Sequence, residues 1–141
     1  MAGIEVAMST STGFAALEGH KYMNLETFKK SGEGVRTPIW FAADPSTPLA
    51  SNAAKLLVYT NDNSGKVKRL RNNSRARVAP CDMRGTLLGE WIDARGEIVT
   101  GDEAARGMQL LDRKYFPWKQ VLGFFALLGG RKRVVIALGP A

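Results

Sequence analysis

The chain has 141 residues, enough for one domain with a sizeable core and too few for two. Its 45% apolar and 23% charged residues are ordinary for a soluble globular chain, and twenty Lys and Arg against thirteen Asp and Glu give a net charge of +7. The longest apolar run, Val121 to Leu128, is well short of the roughly 20 residues needed to span a bilayer. The start lacks the basic stretch and apolar core of a secretory signal, and the single Cys81 excludes an internal disulfide, so the expected location is cytoplasmic.

In chain order, Met1 to Thr12 reads as a flexible arm without periodicity, and residues 13–141 as one domain. A short helix is expected around Ala15 to Glu18 and a strand from Met23 to Lys29. Ser31-Gly32-Glu33-Gly34 turns that strand back into a second, Val35 to Ala42, where Pro38 marks an edge or a bulge because it cannot donate to a ladder. Asp44 to Asn52 is a Pro- and Ser-rich loop, either a lid or a surface connection. Leu56 to Thr60 reads as a buried strand, Asn61-Asp62-Asn63 as a turn, and Ser64 as the N-cap of a short helix. Arg77 to Cys81 is the next strand, followed by a turn at Met83-Arg84-Gly85 and a strand pair, Thr86 to Ala94 and Glu97 to Thr100. Asp102 is expected to cap a helix with Ala104, Met108, Leu111 and Tyr115 on one face and Pro117 at its end. Trp118 to Leu128 suggests another helix stopped by Gly129-Gly130, and Val134 to Leu138 a closing strand. The fold class is mostly β: a six- to seven-stranded antiparallel split barrel of Greek-key type, with two or three short helices.

The charge is concentrated in one place. Lys66, Lys68, Arg69, Arg71, Arg75 and Arg77 lie between Gly65 and Arg77 without an acidic neighbour, and removing these six leaves +1 for everything else. At 100° per residue Val67, Leu70 and Ser74 form the inward face of this helix. Lys66 and Arg69 share one flank and can share one anion, while Arg71 lies on the other. Lys66 sits in the first turn, where free N–H groups and the positive end of the helix dipole oppose it, a conflict that an anionic ligand relieves. The competing reading is a solvated basic helix.

Other chemistry is sparse. His20 and Cys81 cannot form the usual zinc site, and no Rossmann, Walker or Gly-x-Ser-x-Gly pattern is present. His20 reads as a boundary residue, Cys81 as a small buried hydrophobe, and Asp82, Glu90, Asp93 and Glu97 as solvated charges. Any redox activity would therefore have to come from a cofactor. The tryptophans Trp40, Trp91 and Trp118 are not interleaved with the basic residues as in a nucleic-acid platform.

Three segments in this order, Gly34 to Phe41, Leu57 to Thr60 and Ser64 to Asn73, resemble the flavin-binding split-barrel superfamily that includes pyridoxamine phosphate oxidase. The similarity runs from about Phe14 to the C-terminus and is greatest to small flavin- or deazaflavin-dependent members. The resemblance implies that Arg36, Thr37, Pro38, Ile39, Trp40 and Phe41 run beside an isoalloxazine-type ring. It implies that Tyr59, Thr60, Ser64, Gly65, Lys66, Arg69 and Arg71 hold the phosphate. The implied cofactor is FMN or a deazaflavin (coenzyme F-420). The implied assembly is a homodimer with the cofactor between subunits, where Trp91 or residues after Tyr115 would come from the partner. The implied activity is hydride transfer between the bound cofactor and a small organic substrate. Gly65 stands where the oxidase has an arginine, and the C-terminal strand lacks the oxidase's further basic residues, so the oxidase activity itself is not expected. The alternatives are a flavin- or deazaflavin-binding protein without turnover, and a basic β-barrel that binds nucleic acid, for which the charge is the motive. No membrane partner is expected.

Overall fold

A computed structural model describes residues 13–114 and 133–141. The expected arm at Met1 to Thr12, the helix end at Pro117, the helix Trp118 to Leu128 and its Gly129-Gly130 stop lie outside the described residues. A 3-10 turn at Phe14–Leu17 is followed by strands β1 (Tyr22–Phe28), β2 (Gly34–Trp40), β3 (Ala42–Ala43) and β4 (Leu56–Asn61). Helix α1 (Gly65–Asn72), β5 (Arg75–Cys81), β6 (Ile92–Val99), helix α2 (Gly101–Lys114) and β7 (Arg133–Pro140) complete the order. The strands form one antiparallel sheet in the order β2-β1-β5-β6-β7-β4-β3, curled into a half-barrel. Pro38 lies on β2, an end strand of that order, where its missing N–H costs no ladder bond on the outer side.

Side-chain alternation assigns the two faces. Met23, Leu25 and Thr27 of β1, Ala76 and Val78 of β5, Ile136 and Leu138 of β7, and Leu56 and Val58 of β4 are all buried, and the apolar residues among them share one core with Phe14, Leu17 and Phe41. Val67 and Leu70 of α1 join that core, which is why so polar a helix stays attached to the sheet. On the outer side, α2 covers Leu57, Val135, Ala137 and Val99 with Ala104, Met108 and Leu110, and its Leu111 is buried beside Ala42. Asp44 accepts a bond from Arg106 at 2.9 Å and Lys55 pairs with Glu103 at 3.1 Å, so the ends of the Pro- and Ser-rich loop are fastened to α2.

Three expectations need correction. The strand pair Thr86 to Ala94 and Glu97 to Thr100 is instead one unbroken strand, Ile92–Val99, that passes through Arg95 and Gly96. Gly96 is not a turn; its missing side chain makes room for Leu70 and Leu138, which a Cβ would meet at 3.1 and 2.9 Å. Thr86 to Trp91 is an outer segment with a single bridge, Leu87 to Cys81. Ser74 does not share the inward face of α1, because the helix ends at Asn72 and Ser74 is exposed. Helix α2 starts at Gly101, which places Asp102 in its first turn with Glu103.

The outer face of β2, β1 and β5 carries a charge cluster. Glu26, 3% exposed, accepts from Arg36 Nε at 2.9 Å and from Arg77 Nε at 2.6 Å. Both guanidinium groups lie over the Trp91 ring, 4.8 and 5.0 Å from its centroid. Burial pushes the Glu26 carboxyl up, but the hydrogen bonds and charges of Arg36 and Arg77 outweigh it and hold it below the usual glutamate value.

Two outcomes are expected. Gly96→Ala should lose about 1–3 kcal/mol of unfolding free energy in chemical denaturation, because Leu70 and Leu138 must both move. Glu26 contributes stability that is fully present above the ordinary glutamate pKa and is lost as pH falls through its lower native value. Denaturation followed from neutral to acid pH should show that loss in the wild type and a flatter acid limb in Glu26→Gln; equal limbs would count against the clamp.

Candidate functional site

The β4–turn–α1 unit builds a place for an anion. The N-cap Ser64 is in extended geometry and its Oγ accepts the Val67 N–H at 3.4 Å, which fixes the start of the helix. No acidic residue occupies the first turn, so the positive end of the helix is left uncompensated by its own sequence. Arg69 folds back toward that end: a Cβ on Gly65 would lie only 2.6 Å from its Nη1. The guanidinium is steered by Thr27 of β1, fully buried, whose Oγ1 accepts from Arg69 Nε at 2.6 Å.

Lys66 is half-buried beside this group. Burial lowers its pKa below the usual lysine value, and the nearby Arg69 charge lowers it further. Among the described residues no carboxylate lies within ion-pair distance of Lys66 or Arg69. Two cations and a helix start therefore converge without an anion to balance them. Arg71 is exposed.

A second feature lies where β2 approaches β4. Among the described residues, Tyr22, Pro38, Ile39, Trp40, Tyr59 and Met83 line an open cavity of about 280 Å³, and none of them is charged. Tyr59 connects the two features, since only Thr60, Asn61 and a tight turn separate it from Ser64. That separation is on the order of 10 Å, the scale of a ring joined to a phosphate by a short linker. Larger cavities of about 530 and 520 Å³ lie elsewhere on the barrel, against Pro140 and the Asn52 loop, and neither includes Lys66 or Arg69.

The structure thus brings Pro38, Ile39, Trp40 and Tyr59 to one cavity, and Ser64, Gly65, Lys66 and Arg69 to one helix start. It does not bring in the others. The Arg36 side chain is engaged by Glu26 and Trp91 on the outer face, and Phe41 is buried in the core with Lys114 Nζ 3.5 Å above its ring. Thr37 and Thr60 are half-buried and line none of the cavities described above. Trp91 is occupied by Arg36 and Arg77, and the residues after Tyr115 lie outside the described residues. Sequence reading missed Thr27, Tyr22 and Met83. Thr27 was legible in principle, as the one hydroxyl on the inward register of Met23 and Leu25. Met83 gave no signal, because its place depends on how a turn folds over β1 and β2.

No protein-family model matches the chain, and neither does the sequence of any curated protein. Solved structures do match. A pyridoxamine 5'-phosphate oxidase-like protein from Listeria innocua superposes with a TM-score of 0.59 at 15% identity, covering 89% of this chain and 88% of its own. The heme storage protein HutZ from Vibrio cholerae gives 0.60 at 12% identity over 99% and 89%. An F420 reductase gives 0.54 at 20% identity over 90% and 91%. The described residues fit a phosphate-bearing ring cofactor in two respects: a cation-rich helix start where Gly65 leaves room for Arg69, and an aromatic cavity that includes a residue of the strand leading to it. The chain has the split-barrel fold of pyridoxamine 5'-phosphate oxidase-like proteins.

Proposed function

We propose that the protein is an oxidoreductase that binds FMN or the deazaflavin coenzyme F-420 and transfers a hydride between it and a small organic substrate. The observation that carries this reading is the uncompensated pair Lys66 and Arg69 at the start of α1, with Gly65 leaving space for the Arg69 guanidinium. In this reading Lys66, the Arg69 Nη groups and the first backbone N–H groups of α1 hold the phosphate. Ile39, Trp40 and Tyr59 wall the ring and exclude water from one side. When bound, the cofactor supplies the redox chemistry, and the chain supplies orientation and electrostatics. A fold shared with an F420 reductase and an oxidase-like protein supports the cofactor class.

The assembly that goes with this reading is a homodimer formed through the outer face of β2, β1 and β5. Leu87 and Leu88, beside the end of β5, are exposed, and a second copy would cover them. A second reading, binding without turnover, is favoured by the absence of an acid–base pair among the described residues at the cavity, and the shared fold of a heme storage protein is consistent with carriage. Flavin-type rings suit the site better than heme, because the single histidine, His20, does not line the cavity.

Titration of the wild type and Lys66→Ala with FMN and with the deazaflavin tests the assignment. One of the two should bind tightly to the wild type, and Lys66→Ala should lose about 2 kcal/mol or more through the missing charge-assisted contact. Equal affinities in both proteins would sink the phosphate site. The lowered pKa of Lys66 gives a second outcome. Affinity should fall with rising pH at a lower pH than an ordinary lysine would dictate, since the neutral amine no longer attracts phosphate. Lys66→Arg should keep its affinity across the same range, and a parallel loss in that variant would show that another group titrates.

A further inference from the structure

Strand β6 carries an arginine whose own ladder does not balance it. Ala94, Gly96 and Ile98 face the core, so Arg95 points outward and is exposed. Its neighbour in register on β5 is Arg75, a like charge, and on β7 it is Gly139, which has no side chain. Like charges directly opposed across a ladder are unfavourable. Arg75 leans the other way, its guanidinium carbon 4.4 Å from the centroid of the Phe28 ring on β1. Asp93 and Glu97 stand two positions to either side of Arg95, about 7 Å away along the strand. Among the described residues no carboxylate lies within ion-pair distance of Arg95.

Two cavities meet at this arginine. One of about 530 Å³ and another of about 400 Å³ share Arg95 and Ser74. Ser74 is held beside β6 by its carbonyl, which accepts the Gly96 N–H at 2.8 Å. In the larger cavity Gly139 leaves the floor open, and Ala53, Ala54, Ala137 and Pro140 add short apolar walls. Lys55 also lines it, but its ammonium pairs with Glu103 at 3.1 Å. A guanidinium beside an apolar hollow suits a carboxylate, which it can hold by two parallel hydrogen bonds. Asp93 and Glu97, one lining each cavity, disfavour a guest with a second negative charge.

We propose that the outer groove of β6 and β7 is a second binding site, for a small organic monocarboxylate. Its carboxylate meets Arg95, and its apolar body lies over Gly139 and Ala137. Neither Lys66 nor Arg69 lines this groove, and its floor and walls come from β6, β7 and the Asn52 loop rather than from the face proposed for a second copy. The site therefore stands whether or not the chain binds a flavin.

The test is equilibrium calorimetry on the full chain, with benzoate and its uncharged counterpart benzamide as probes. The wild type should prefer benzoate, and Arg95→Gln should lose about tenfold in benzoate affinity while binding benzamide as before. Benzoate should raise the melting temperature of the wild type and leave that of Arg95→Gln unchanged. Without ligand, Arg95→Gln should be at least as stable as the wild type, because Arg75 loses a like-charged neighbour. A merely structural arginine would cost stability instead. A Cβ at Gly139 meets Ala54 O at 3.8 Å, an ordinary contact, so Gly139→Val should fold and should weaken both probes by filling the floor. Lys66→Ala should bind benzoate as the wild type does. A wild type that ignores benzoate or binds the two probes equally, unaltered benzoate binding in Arg95→Gln, or its loss in Lys66→Ala overturns the site.

Discussion

The hydrogen bond from Arg69 to the buried Thr27 is the constraint on which the site depends. Without it, Arg69 would be a mobile surface cation on a short polar helix. With it, the guanidinium is drawn back across Gly65 to the start of α1, and Lys66 is forced to share that space. Val67 and Leu70 make the arrangement possible by locking the helix into the core. Two charges and a helix dipole held this close repel one another, and the Lys66 pKa lies below the usual lysine value first through burial and then through the Arg69 charge. That repulsion is what makes an anion favourable there: its binding removes an unfavourable term that folding has already built in.

The positive charge of the chain is not one patch. Arg77 and Arg36 neutralise Glu26 and stack on Trp91, and Arg75 lies 4.4 Å from the centroid of the Phe28 ring. These arginines hold the outer face of the sheet together, and their aromatic partners are already occupied. The sequence shows no interleaving of basic and aromatic residues because Trp91 and Phe28 come from other parts of the chain. Three dimensions create the interleaving, but as internal packing. An open platform for bases would need the faces of those rings free.

Features set by local chemistry were readable from the residues: the Ser64 cap, the buried Leu56 to Thr60 strand, the β1–β2 hairpin and the position of Pro38 on a strand at the end of the sheet order. Features set by distant partners were not. Gly96 looks like a turn residue until Leu70 and Leu138 are seen to fill its space, so one strand was read as two. Arg36 looks like a ligand residue until the Glu26 carboxylate is found opposite it in the ladder. The helical phase of Lys66 and Arg69 placed them together, but only the structure shows that Thr27 holds one of them there.

Gly65 joins these points. The resemblance to the oxidase pairs this glycine with an arginine, which by itself suggests a weaker grip on phosphate. The geometry argues otherwise. A Cβ at 65 would lie 2.6 Å from Arg69 Nη1, so the glycine leaves the guanidinium its place at the helix start without a shift. The charge at the helix start is supplied by another residue, and its anchor in β1 ties it to the sheet rather than to the loop. Because Tyr59 and Ser64 belong to the same strand–turn–helix unit, cavity and helix start keep a fixed spacing. In the function proposed here, a ligand with a flat ring at one end and a phosphate at the other would meet both without either having to move, the form of preorganisation that favours binding over ordering.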